Sequence, residues 1–159
     1  MGYLFDLERD CKVDGYPLPP FLRHVGVEHV SVRPGFATLT WVFDPAIHAN
    51  GLGVAHGGVL STLLDIVMGY ASGFDNGKVG GVVTTSMTTH YLSPAQNTLT
   101  VSAHVNRKTK HIVFCSADVA NPDGSLVAQA VATFKRLAPR LANDTRPEHP
   151  PTLPETAHA

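Results

Sequence analysis

Between Asp44 and Asp75 a single formally charged side chain occurs, Asp65, and it stands inside a strongly apolar helical pattern. An unpaired carboxylate in such surroundings costs several kcal/mol or shifts its pKa, so its presence calls for a role. The segment ahead of it, His48-Ala49-Asn50-Gly51-Leu52-Gly53-Val54-Ala55-His56-Gly57-Gly58, is a glycine-rich turn carrying Asn and His, and it opens directly onto the helix that holds Asp65. A carboxylate suits nucleophilic or acid–base work. Backbone N–H groups at a helix start suit a partial negative charge. One polar turn, one helix N-terminus and one isolated acid together point to an active site.

The elements that must position these residues follow from hydrophobic periodicity. From Val59 onward apolar residues fall at Val59, Leu60, Leu63, Leu64, Val67, Met68 and Ala71, the spacing of a helix, and Ile66 and Tyr70 add a second apolar side. Apolar on nearly every side, this helix is expected to be buried. Gly73 and the run Asp75-Asn76-Gly77 end it. Ahead of it, Val25–Arg33 and Phe36–Phe43 flank Pro34-Gly35 as hairpin strands. Beyond it, Gly81–Leu92, Leu99–Asn106, Ile112–Ala120 and Leu126–Leu137 read as strands, the last pair joined by the tight turn Asn121-Pro122-Asp123-Gly124. The order predicts an α+β domain in which an antiparallel sheet of about six strands covers one apolar helix. One sheet cannot cover all of it, and a second subunit is the simplest cover for the remainder.

At 159 residues, 43% hydrophobic and 16% charged, the chain fits one globular domain with a full core. Residues 1–20, ending in Pro17-Leu18-Pro19-Pro20, read as an N-terminal arm with a short helix before the prolines; 21–138 is the body, and the proline-rich 139–159 a flexible tail. No apolar run is long enough to span a membrane, and the first residues alternate charge with hydrophobes in place of a signal peptide, so the cytoplasm is the expected location. Cys11 and Cys115, and His48, His90, His104 and His111, stand in no ligand spacing, so reduced thiols and no metal are expected. A net charge of −1 offers no global attraction for nucleic acid or an anionic membrane.

The run Asn50 to Gly58, with the Asn six residues before His56 and Asp65 eight after Gly57, is followed by the strand end His90-Tyr91-Leu92-Ser93-Pro94-Ala95. Together these resemble the hotdog-fold acyl-CoA thioesterases of the PaaI-like and thioesterase superfamily member 2 type, over roughly residues 25–137. The resemblance implies a single hotdog fold, a long central helix wrapped by the antiparallel sheet, in an obligate homodimer that commonly pairs again into a homotetramer. It implies hydrolysis of an aryl- or medium-chain acyl-CoA to free acid and CoA, with no cofactor beyond the CoA of the substrate. Hotdog enoyl-CoA hydratases share the architecture but carry an Asp-x-x-x-x-His-type motif that the body of this chain does not show. A non-catalytic acyl-CoA-binding hotdog protein is the remaining alternative, and the joint retention of Asp65, Asn50 and Gly57 argues against it.

Residue by residue, the resemblance makes Asp65 the nucleophile or general base, acting across the dimer interface, against the plainer reading of a paired structural carboxylate. Gly57, without a side chain, would let a thioester carbonyl approach its N–H, and Gly58 would ease entry into the helix. His56 would hold the loop and the carbonyl, or simply cap the helix. Asn50 would bind water or the carbonyl, or form an Asx turn. Thr84 would orient the water, although Thr85 and Ser86 adjoin it and a slip of one residue exchanges the faces. Leu64 and Met68, with Tyr70, would line the acyl end of the pocket. Arg107, Lys108 and Lys110 cluster at a turn where they would grip the CoA phosphates or stand solvated.

Overall fold

A computed structural model of the chain describes residues 20–75, 78–79 and 81–137. In chain order the elements are α1 (Pro20–His24), β1 (Ser31–Arg33), β2 (Phe36–Trp41), α2 (Pro45–His48), α3 (Gly57–Gly73), β3 (Phe74–Asp75), β4 (Lys78–Val79), β5 (Val82–Tyr91), β6 (Leu99–Lys108), β7 (Ile112–Ala120) and β8 (Leu126–Arg136). Six strands form one antiparallel sheet in the order β1-β2-β6-β7-β8-β5, while β3 and β4 pair separately. The expected α+β architecture is therefore present: a six-stranded sheet with one long helix on it.

Alternation along the strands builds the core. Ala37, Leu39 and Trp41 of β2, Leu99, Val101 and Ala103 of β6, Val113, Cys115, Ala117 and Val119 of β7 and Phe134 of β8 are buried on one face. They meet Leu60, Leu63, Leu64, Val67, Met68 and Ala71 of α3. On β8 the same face carries Ala128, Ala130 and Ala132, small residues that leave room for the helix beside them. Behind α3, the Ser72 hydroxyl lies 3.0 Å from Cys115 Sγ. Burial pushes this thiol above its ordinary range, partly opposed by the Ser72 contact.

Several bounds differ from expectation. The first strand is only Ser31–Arg33, because the chain before it closes into α1 and a turn, with Val25 N–H donating to Phe21 O and Val27 N–H to Leu22 O. Trp41 ends the second strand and donates its Nε1–H to Val25 O at 2.8 Å. The short α2 has an N-cap, Asp44, whose carboxylate accepts from Ala46 N–H, but at four residues it is too short to show a period. The arm before Pro20, its expected helix and the tail from residue 138 lie outside the described residues. The helix is also less enclosed than its composition suggests. Ser61, Thr62, Asp65, Ile66, Gly69 and Tyr70 are only half-buried in the single chain, although this suffices to push the Tyr70 hydroxyl above its ordinary value by desolvation.

The edge strand β5 bears most directly on function. Its pairing with β8 slips between Thr84 and Ser86, a bulge that inserts Thr85. Thr84 therefore faces Phe134, while Met87, Thr89 and Tyr91 face Ala132, Ala130 and Ala128. Residues an odd number apart normally point to opposite sides of a sheet; here the bulge lets Thr84 and Tyr91 both face α3. Among the described residues only β8 pairs with β5, and they leave the far edge of this ten-residue strand open.

Candidate active site

The site grows from the turn between α2 and α3. Closure of residues 48–56 relies on backbone groups: Ala49 bridges to Ala55, Asn50 N–H donates to Val54 O, and His56 N–H donates to His48 O at 2.8 Å. Gly53, at φ +75°, supplies the left-handed position that such a reversal needs. His48 anchors the turn from below. It is buried, its ring centroid is 4.6 Å from that of Trp41, and its Nδ1 accepts from Asp44 N–H. Asn50 adopts the Asx-turn arrangement, its Oδ1 accepting from Leu52 N–H at 2.8 Å and Val54 N–H at 3.4 Å. Among the described residues its Nδ2 has no partner, so the amide group remains available beside the helix start.

His56 caps α3, its Nδ1 accepting from Gly58 N–H at 2.9 Å. That bond places the ring hydrogen on Nε2. Gly58 is thereby committed to the cap, whereas the Gly57 N–H has no acceptor among the described residues and carries the positive end of a helix of 17 residues. Gly57 lines a cleft of about 300 Å³ together with Asn50, Ala55, Leu60 and the strand end Tyr91-Leu92-Ser93-Pro94. A Cβ at Gly57 would lie 3.2 Å from Tyr91 Cε1, so a side chain here would push the Tyr91 ring away by a few tenths of an ångström.

Asp65 stands two turns further along α3. Its Oδ1 accepts from the Thr84 hydroxyl at 2.7 Å, and Oδ2 has no partner among the described residues. Of the adjoining hydroxyls it is Thr84 that meets Asp65; Thr85 instead contacts Thr133 on the other side of the sheet. Asp65 is half-buried rather than enclosed. Eight residues of helix separate it from Gly57, about 12 Å at the helical rise, more than a carbonyl oxygen and carbon can bridge. Within one chain the N–H donor and the carboxylate therefore cannot act on the same thioester.

The other expected residues are placed elsewhere. Leu64 and Met68 are fully buried against the sheet, and the apolar lining of the cleft comes from Ala55, Leu60, Leu92 and Pro94. Arg107, Lys108 and Lys110 are exposed at the β6–β7 turn, at the opposite end of the sheet from Tyr91, where Lys108 borders a smaller cavity of about 190 Å³ with Pro34, Gly35 and Ser72. Ser61 has no role in the sequence reading, and Tyr91 enters it only as part of the strand-end motif, without a role of its own. Ser61 carried a signal nonetheless, since it lies four residues from both Gly57 and Asp65 on one helical row. Among the described residues no three His, Cys, Asp or Glu side chains gather as metal ligands, and no helix is long and apolar enough to cross a membrane.

Known proteins resemble this chain in sequence and in structure. The Thioesterase superfamily model matches residues 52–128, from the site turn through the start of β8. Acyl-coenzyme A thioesterase 13 of Mus musculus is 34% identical over 85 residues, covering 52% of this chain and 60% of that protein; the chain thus spans about three fifths of this curated relative. The E. coli PaaI protein from the phenylacetic acid degradation operon is 25% identical with a TM-score of 0.69, covering 76% of this chain and 86% of that one. Zebrafish thioesterase superfamily member 2 is 28% identical with a TM-score of 0.66, covering 76% and 88%. Similar in sequence from the site turn to the start of β8, and in structure over about three quarters of its length, this chain has the hotdog fold of these proteins and resembles the thioesterase superfamily.

Proposed function

We propose that this protein is an acyl-CoA thioesterase that works as a homodimer, each site built from two copies of the chain. The observation that carries the reading is the split site: a free N–H at Gly57 and a carboxylate at Asp65, about 12 Å apart on one helix, beside a strand with an open edge. Antiparallel pairing of two β5 strands about their middle sets the Thr84–Asp65 end of one against the Tyr91–Gly57 end of the other. One copy then offers Gly57 N–H to the thioester oxygen, while the partner subunit's Asp65 faces the carbonyl carbon.

In this arrangement charge developing on the oxygen is met by the helix N-terminus. The carboxylate either attacks the carbon, expelling the CoA thiolate and leaving a mixed anhydride for water to open, or takes a proton from an attacking water. Thr84 holds the carboxylate by one oxygen and leaves the other for this work. Asn50 contributes its free amide group to the water or carbonyl, and His56 fixes the first helical turn. The same pairing turns the partner subunit's Arg107, Lys108 and Lys110 toward the cleft side, where they would hold the CoA phosphates. An aryl or medium-chain acyl group fits beside Leu60. No cofactor or metal enters the scheme, dimers pairing into a tetramer are consistent with it, and the cytoplasm, with its reduced thiols and CoA esters, is the location we assign.

The test is thiol release from a panel of phenylacetyl-, hydroxybenzoyl-, short-, medium- and long-chain acyl-CoAs, followed by subunit mixing. Asp65→Asn should lower turnover by about a thousandfold or more while keeping ligand affinity. Mixing Asp65→Asn with Asn50→Ala should regain about a quarter of wild-type activity, because half of the dimers become mixed and each then has one intact site. An unchanged rate in Asp65→Asn would sink the assignment, and absence of complementation would place the site within one chain.

A further inference from the structure

We infer that Tyr91 is a positioning residue that fixes the Gly57 N–H by clamping the next peptide group, a role that rests on the thioesterase reading above. The Gly57–Gly58 peptide is held at both ends. Its carbonyl, Gly57 O, accepts from the Tyr91 hydroxyl at 3.1 Å, and its N–H, on Gly58, donates to His56 Nδ1 at 2.9 Å. The Ser61 hydroxyl oxygen lies 2.6 Å from the phenol oxygen. Thr89 Oγ1 stands 3.4 Å from Ser61 Oγ behind them.

This clamp matters because of where it acts. First-turn amides lack intrahelical acceptors, and helix ends fray, so a donor at N1 is held only as well as its neighbours hold it. Glycine adds backbone freedom at this point, which the chain limits by packing the Tyr91 ring against Gly57, within 3.2 Å of where a Cβ would be. Donors that stabilise a developing oxyanion are effective when they are already in place before charge develops. The β5 bulge is the structural investment behind this, because it turns Tyr91 to the same side of the sheet as Thr84. One strand then serves both halves of the split site, Thr84 holding the acid and Tyr91 the N–H donor.

Tyr91→Phe in the full chain tests the inference, since it keeps the ring and removes only the hydroxyl. It should lower kcat about tenfold on the acyl-CoA the wild type hydrolyses fastest, with KM little changed, as expected when an interaction acts mainly in the transition state. Hydrogen exchange at the Gly58 amide, followed by NMR, should accelerate about tenfold as the clamp loosens. Ser61→Ala, which removes the support of the phenol, should show the same pattern more weakly. Wild-type kcat in Tyr91→Phe, or unchanged Gly58 exchange, overturns the inference while the thioesterase reading stands. A wild-type protein inactive on every acyl-CoA overturns both.

Discussion

The two sides of α3 answer to different physics. Leu60, Leu63, Leu64, Val67, Met68 and Ala71 face the sheet, 0–3% exposed, and close the core. Gly57, Ser61 and Asp65, stacked one turn apart, lie toward β5, where hydroxyls contact them and the sheet edge is open. The first side is closed by the sheet, whereas the second holds groups without a partner among the described residues, Gly57 N–H and Asp65 Oδ2. A helix that only needed burial would repeat the first pattern around its circumference. Stability and chemistry are thus divided by face, and substitutions on the two faces should separate them.

The largest effect belongs to the packed side. Leu64→Ala removes a fully buried side chain and should cost about 2–5 kcal/mol, from lost transfer energy and the cavity left behind. Urea denaturation would show this as a lower midpoint. Under conditions where the variant remains folded, kcat per folded molecule should stay near wild type. A folded Leu64→Ala protein without turnover would break the division and return this residue to the acyl pocket, where the sequence reading had put it.

On the other side, Thr84→Val is close in shape but takes away the hydrogen bond to Asp65. Hydrogen bonds to charged groups contribute about 1.5–3 kcal/mol, so kcat should fall about tenfold or more, with a small change in the denaturation midpoint. Thr84→Ser keeps the donor and should retain most of the activity. If Thr84→Val unfolded the protein but spared kcat, the hydroxyl would belong to the structural side of the helix.

What could be read from sequence follows the same division. The packed face was legible because burial writes a period: Leu60, Leu63, Leu64, Val67, Met68 and Ala71 declare one helical face, and the six-stranded sheet follows from strand runs punctuated by turns. Asp65 was legible for the opposite reason, as a charge that breaks that pattern. The stretch Val82-Val83-Thr84-Thr85-Ser86-Met87-Thr88-Thr89 does not alternate, so its facing depended on the bulge against β8, which only the pairing reveals. Leu64 and Met68 were placed in the pocket because an apolar residue on a helix does not say which surface it meets. Tyr91 stands in the strand-end motif, but its role and that of Ser61 are not legible there, because they lie in a contact between residues thirty positions apart. The α1 and α2 helices, at five and four residues, are shorter than any period could register.

The smallest change sharpens the comparison most. Gly69 continues the row of Gly57, Ser61 and Asp65, and a Cβ there would meet only Phe134 Cε1, at an ordinary 3.8 Å. Nothing among the described residues requires glycine at this helix-interior position, so Gly69→Ala should stabilise the dissociated chain by about 0.5–1 kcal/mol through the lower conformational entropy of the unfolded state. Denaturation at low protein concentration measures that gain, and sedimentation measures the dimer dissociation constant alongside it. A gain in stability with unchanged dimerisation would confine the interface to β5 and leave this part of the helix facing solvent. A weakened dimer would mean that a second copy comes within a methyl group of Gly69, extending the interface from the strand edge onto the polar side of α3 and explaining why that side is built from small residues.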